Sequence, residues 1–78
     1  MIISSLQSPS RSLYVIGGNI LEILAALKLG SVSPVELYRR YKLEYEDISL
    51  SYLMYGLDWL FVVGAVELTE TGDVMSCN

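Results

Sequence analysis

Residues 49–68 read SLSYLMYGLDWLFVVGAVEL, a stretch of apolar and aromatic side chains with one acid, Asp58, near its middle and a second, Glu67, close to its end. Its length meets the roughly 20 apolar residues that a membrane-crossing helix needs. Asp58 argues against such a span, because an acid at the bilayer centre costs about 2.5–3.5 kcal/mol on insertion scales. Gly64 and a strand-like tail follow at once, and no Lys or Arg flanks the stretch to set an orientation. The expectation is a helix of a water-exposed protein, capped by Asp47 or Ser49, running to about Val63 and ended by Gly64.

Along that helix Leu50, Leu53, Leu57 and Leu60 recur at helical spacing and make a core stripe. Tyr52, Tyr55, Trp59 and Val62 repeat the spacing two residues out of phase, about 200° round the helix at about 100° per residue. A helix with two apolar faces is either covered on both or binds something. The lead segment or the C-terminal hairpin could close the second face inside the monomer, since aromatic stripes are usually core. Alternatively the face is a protein interface, because Tyr and Trp bury large areas with few rotamers and keep a polar tip. Asp58 then supplies a polar contact; otherwise it is a solvated residue that keeps the helix from aggregating. Tyr52, Tyr55, Asp58, Trp59 and Val62 are the candidate partner-binding residues.

Upstream, residues 1–9 form an extended lead in which Pro9 and its neighbouring serines discourage a helix until Ser10 can cap one. From about Arg11, Leu13, Ile16, Ile20, Ile23, Leu24 and Leu27 share one helical face. Gly17 and Gly18 interrupt it at about 1 kcal/mol each relative to Ala, which points to close helix packing, a kink, or a start delayed to Asn19. Gly30 fits a C-cap, with Lys28 in the last turn. Ser33 fits an N-cap, Pro34 the first helical position, and Glu36 completes a capping box. A second helix follows from Pro34 to Tyr41 or Lys42, with room for a one- or two-residue strand at Ser31-Val32 before it. After the third helix, Val66 to Thr69 and Val74 to Cys77 read as strands around a Glu70-Thr71-Gly72-Asp73 turn. The expected fold is α+β, a winged helix-turn-helix-like arrangement of three helices followed by a C-terminal β-hairpin, in a single domain over residues 1–78.

Charge narrows the function. Through Lys42 the chain holds five basic residues, Arg11, Lys28, Arg39, Arg40 and Lys42, against Glu22 and Glu36, a net of +3; beyond it lie seven acids and no base, −7, which together make the net charge of −4. Major-groove reading needs Lys or Arg around the third helix, and there are none. Arg39, Arg40 and Lys42, interleaved with Tyr38 and Tyr41, are the candidate contacts to a nucleic-acid backbone or an acidic partner; as a bare helix end they simply favour the macrodipole.

With no His and one Cys, Cys77, the chain offers no metal-ligand set, no Cys/His pair and no disulfide framework. Glu44, Glu46 and Asp47 sit in a polar connection, read as a solvated acidic loop, and the Gly pair of "IGGN" lacks a phosphate-loop context. No enzymatic activity, cofactor or metal is expected. The first residues lack the basic lead and apolar run of a secretion signal, so a cytoplasmic protein is expected. A 78-residue chain buries only about 60% of its unfolded surface, so its core is marginal and invites a partner or a second copy.

Two stretches, "SPSRSLYVIGGNILEIL" and "LSYLMYGLDWLFVVGAVEL", resemble the small middle components of bacterial ABC-three component systems, most nearly the class numbered six. Those proteins lead into a helix with a Pro-x-Arg-Ser-Leu pattern and end with a Leu-Asp-x-Leu-x-x-x-Gly-Ala-Ile/Val pattern before a hairpin. Here Pro9, Arg11, Ser12 and Leu13, then Leu57, Asp58, Leu60, Gly64, Ala65 and Val66, carry the likeness. It implies an accessory protein encoded between an SMC/RecN-like ABC ATPase and an effector, in systems proposed to act against phages or plasmids. The chemistry would then reside in those partners, with this chain an adaptor or scaffold. An Arg11 of this kind could pair with Asp58 or Glu67. The runner-up is a DNA-associated winged-helix regulator, or a DNA-contacting subunit of the same complex, that uses Arg39, Arg40 and Lys42.

Overall fold

The structure is a computed structural model that describes residues 12–27 and 30–77. The N-terminal lead, Arg11 and with it the expected pairing to Asp58 or Glu67, and Lys28 lie outside the described residues. Three helices, α1 (Leu13–Ala26), α2 (Pro34–Glu44) and α3 (Leu50–Val62), alternate with β1 (Ser31–Val32) and precede β2 (Val66–Leu68) and β3 (Val74–Ser76). The strands form one antiparallel sheet in the order β1-β3-β2, with Val32 opposite Val74 and Val74 opposite Leu68. The chain is thus α+β, and the C-terminal hairpin is extended to three strands by the residues that join α1 to α2.

Each helix begins at a serine. Ser12, Ser33 and Ser49 are extended and accept from the amides of Val15, Glu36 and Tyr52, which satisfies a donor that the first turn leaves unpaired. Ser12, and not Ser10, therefore starts α1. The helix runs through both Gly17 and Gly18; Gly17 lies where α1 presses on α3, whereas Gly18 faces open space. It ends at Ala26 with Leu27 extended as its C-cap, so Gly30 serves the turn before β1 instead, at φ +81°. Helix α2 continues to Glu44, past the expected Tyr41 or Lys42. Its capping box is only half formed: Ser33 Oγ accepts from the Glu36 amide, while the Glu36 carboxylate turns to Arg39 and Arg40.

The end of α3 follows from Gly64. At φ +78° its amide donates to the Phe61 carbonyl, and the Ala65 amide reaches back to the Leu60 carbonyl, the paired bonds of a Schellman stop. That reversal sends the chain directly into β2. Gly72, at φ +87°, closes the hairpin turn, where the Thr69 amide donates to the Asp73 carbonyl and Thr69 Oγ1 accepts from the Asp73 amide. At 13 residues α3 is too short to cross a bilayer, and no helix among the described residues is long and apolar enough to do so.

One core joins all the elements: Ile16, Ile20, Ile23 and Leu24 of α1, Leu37 and Tyr41 of α2, Ile48, Leu53, Leu57 and Leu60 at α3, and Val32, Val66 and Val74 of the sheet. The broadest helix contact is between α1 and α3. There Ile16 lies over Gly56 of α3, and Trp59 lies over Gly17 of α1, a reciprocal fit that removes a Cβ wherever the facing helix brings a bulky side chain. Leu50, counted in the core stripe from its spacing, is half exposed, although Leu53 one turn on is fully buried.

Candidate functional site

Helix α3 positions the site. Its buried positions, Leu53, Gly56, Leu57 and Leu60, lie within an arc of about 100° on the helix at about 100° per residue. Opposite them Leu50, Met54, Asp58, Ser51, Val62 and Tyr55 follow one another round the helix over about 140°. Leu50 is 51%, Tyr55 62% and Val62 82% exposed, Asp58 is exposed, and Met54 is half buried. Leu50, Ser51, Met54, Tyr55 and Asp58 line one open depression on the surface. Asp58 stands near the centre of this arc, and no ion-pair partner faces it among the described residues.

The five residues expected on this face are therefore divided. Trp59 is half buried, its ring edge-on to Tyr14 at 5.3 Å and against Gly17, so that among the described residues α1 covers it; the lead expected to do so lies outside them. Tyr52 is half buried too, with its ring 6.5 Å from Tyr55. Tyr55, Asp58 and Val62 remain on the outside. The arc's other apolar members, Leu50 and Met54, were missed as surface residues. Gly56 carried the signal that could have found them, since a glycine in mid-helix marks the packed side and places the outward side opposite it.

The basic cluster at the end of α2 is largely occupied. Arg39 Nε donates to Glu36 Oε1 at 2.9 Å and Arg40 Nε to Glu36 Oε2 at 3.0 Å, and a second Arg39 nitrogen also reaches Oε2. The ammonium of Lys42 sits 4.4 Å from the centre of the Tyr38 ring. Hydrogen bonding from Arg39, with a further bond from Arg40, holds the Glu36 carboxyl down at about 2. A carboxyl lowered on folding lends support above its ordinary pKa of about 4.3 and loses it as pH falls through its folded value. The Glu36 titration followed by NMR should accordingly show a midpoint near 2, returning to the ordinary range in Arg39→Gln with Arg40→Gln. The effect on stability should be small, because the triad is exposed to solvent.

A second polar group spans α1 and the α2–α3 connection. Tyr45 donates to Glu22 at 2.6 Å, which with burial raises the Tyr45 hydroxyl to about 12, and Asn19 donates to the Tyr41 hydroxyl at 3.0 Å. Burial raises the Tyr41 hydroxyl as well. Tyr38 donates to the Ile48 carbonyl at 2.8 Å, tying α2 to the start of α3. The connection is thus not simply the solvated acidic loop that its composition suggests. Glu46 is half buried with Oε2 enclosed and unbonded, and Glu44 belongs to α2. Two of these contacts tie α1 to the C-terminal half of α2, and the Tyr38 bond ties α2 to the residues that lead into α3. Cys77 is exposed and unpaired, and no cluster of metal-ligating side chains occurs among the described residues.

No curated protein and no solved structure matches the chain significantly. A family profile does, over residues 3–77, which takes in the lead, all three helices and the hairpin. The match confirms the resemblance carried by the Leu57-Asp58 and Gly64-Ala65 segment, and the chain belongs to the ABC-three component (ABC-3C) system Middle Component 6 family.

Proposed function

We propose that the chain is a non-catalytic adaptor or scaffold subunit of its ABC-three component system, working in the cytoplasm by docking onto protein partners through the outward face of α3. The observation that carries this reading is the apolar arc of Leu50, Met54, Tyr55 and Val62 around Asp58, since adjoining exposed apolar side chains on one helix face mark an interaction surface. Membership in a multi-component system supports the existence of protein partners. An SMC/RecN-like ABC ATPase and an effector encoded beside it are the partners this reading assigns, with phage or plasmid defence as the system's role.

The element order and the β1-β3-β2 sheet support a winged-helix-like fold in which α3 occupies the place of a reading helix. Its sequence, LSYLMYGLDWLFV, holds no base, and the loop that would be the wing, TETGD, is acidic. Phosphate binding has nothing to work with on that side, and on α2 the two arginines already share Glu36. Protein docking is the reading these charges favour.

The test is co-purification of the chain with the full-length ATPase and effector. Tyr55→Glu combined with Val62→Glu is expected to weaken binding about a hundredfold while the chain stays folded, since truncating interface anchors costs about 2 kcal/mol or more. Retention of full binding by that variant, or binding only to DNA with a steep dependence on salt, would overturn the reading.

A further inference from the structure

We infer that the occupant of the α3 face is a cation-bearing apolar segment of a different protein, a helix with Lys or Arg set among apolar residues, and not a second copy of this chain. The inference rests on the docking reading above and names the partner's chemistry. Three observations lead to it. Asp58 lies near the middle of the apolar arc, beside Tyr55 and Met54, so an occupant that covers the arc takes its carboxylate out of water. A carboxylate buried without a partner is costly, and no base of this chain faces Asp58 among the described residues. The whole stretch after Lys42 carries acids alone, and none of the described bases pairs with Asp58, so among the described residues the cation is left for the occupant to bring.

The same charges count against self-association. In a two-fold dimer the centre of the patch meets its own copy, which would bring Asp58 against Asp58 within a surface that, among the described residues, has no base to offset them. Like charges set face to face across an interface oppose association. Among the described residues a head-to-tail contact would have to draw on Arg39 or Arg40, and both already bond Glu36, while Lys42 lies over Tyr38. Helix in groove is the recognition mode that suits such a surface, with anchors at helical spacing seated between Leu50, Met54 and Tyr55 and a base reaching Asp58.

The experiment uses the intact chain with the separately purified ATPase and effector as probes, followed by overlapping peptides from whichever protein binds. Wild type alone should be monomeric by light scattering. Asp58→Lys, folded by its NMR spectrum because Asp58 makes no internal bond among the described residues, should bind about tenfold or more weakly than wild type, and Asp58→Asn should fall between them. The binding peptide should contain Lys or Arg between apolar residues, and changing that base to Glu should restore binding to Asp58→Lys. Unchanged affinity of Asp58→Lys, or a wild-type dimer that Tyr55→Glu dissociates, would overturn this inference while leaving the docking reading intact. Absence of binding to both proteins would remove the docking reading and this inference with it.

Discussion

Gly56→Leu is expected to abolish the native fold. An ideal Cβ at position 56 would sit 2.4 Å from Ile16 Cγ2 and 3.1 Å from Ile16 Cβ, separations that real side chains essentially never show. Ile16 cannot move aside easily: it is fully buried, and its β-branched side chain has one strongly preferred rotamer in a helix. Retreat of α1 would in turn pull Gly17 off Trp59 and open the main helix contact of the molecule. Overpacking costs about 1–3 kcal/mol when a core can yield and more when it cannot, against a total stability of about 4–12 kcal/mol for a chain of this size.

The smaller change Gly56→Ala should show the same conflict in measurable form. Its helix propensity favours folding by about 1 kcal/mol, and the clash should reverse that gain to a net loss of about 1–2 kcal/mol. Gly18 provides the contrast within the same structure, because nothing lies within 4 Å of a Cβ placed there. Gly18→Ala should therefore stabilise by about 1 kcal/mol and raise Tm by roughly 4–8 °C. Urea and thermal unfolding followed by circular dichroism would decide the matter; equal stabilisation by both alanines would refute the packing account.

The second large effect separates the two sides of α3. Trp59→Ala should destabilise the chain by about 2–3 kcal/mol, toward the lower end for a large aromatic because the ring is half buried. It loses the edge-on contact with Tyr14 and leaves a gap over Gly17. Tyr55→Ala, at a position 62% exposed, should change stability by no more than about 0.5 kcal/mol. The two residues stand only four apart and belong to the same aromatic stripe by spacing. If Tyr55→Ala proved as damaging as Trp59→Ala, the outward face would be core, and the docking proposal would lose its surface.

Several features of this protein were legible from local chemistry. Ser33 before α2, Pro34 in its first turn, Gly64 after α3 and Gly72 in the hairpin act through hydrogen bonds and φ angles within a few residues, so their consequences could be read in place, whereas the cap of α1 is Ser12, two residues after the expected Ser10. The acidic second half was equally plain, and with it the poor prospects of phosphate binding at α3. The Leu57-Asp58 and Gly64-Ala65 pattern pointed to the right family. The fate of each aromatic in α3 was not legible. Spacing established that a second apolar stripe exists, but which part of it lies inward depends on where α1 crosses.

That crossing was decided by tertiary structure alone. Its position follows from two glycines about 40 residues apart, Gly17 and Gly56, each admitting the other helix's bulky side chain, Trp59 and Ile16. Such a fit is a pairwise property of two surfaces and leaves no periodic trace in either helix. It rotates α3 so that Trp59 and Tyr52 turn partly inward, while Leu50, Met54, Asp58 and Val62 come to the outside with Tyr55. The sequence by itself determined the elements, their order, the charge division and the family, because these depend on neighbours along the chain. Tertiary packing determined which face of α3 is free, because only close contact between α1 and α3 distinguishes a side chain that fills a gap from one left in water.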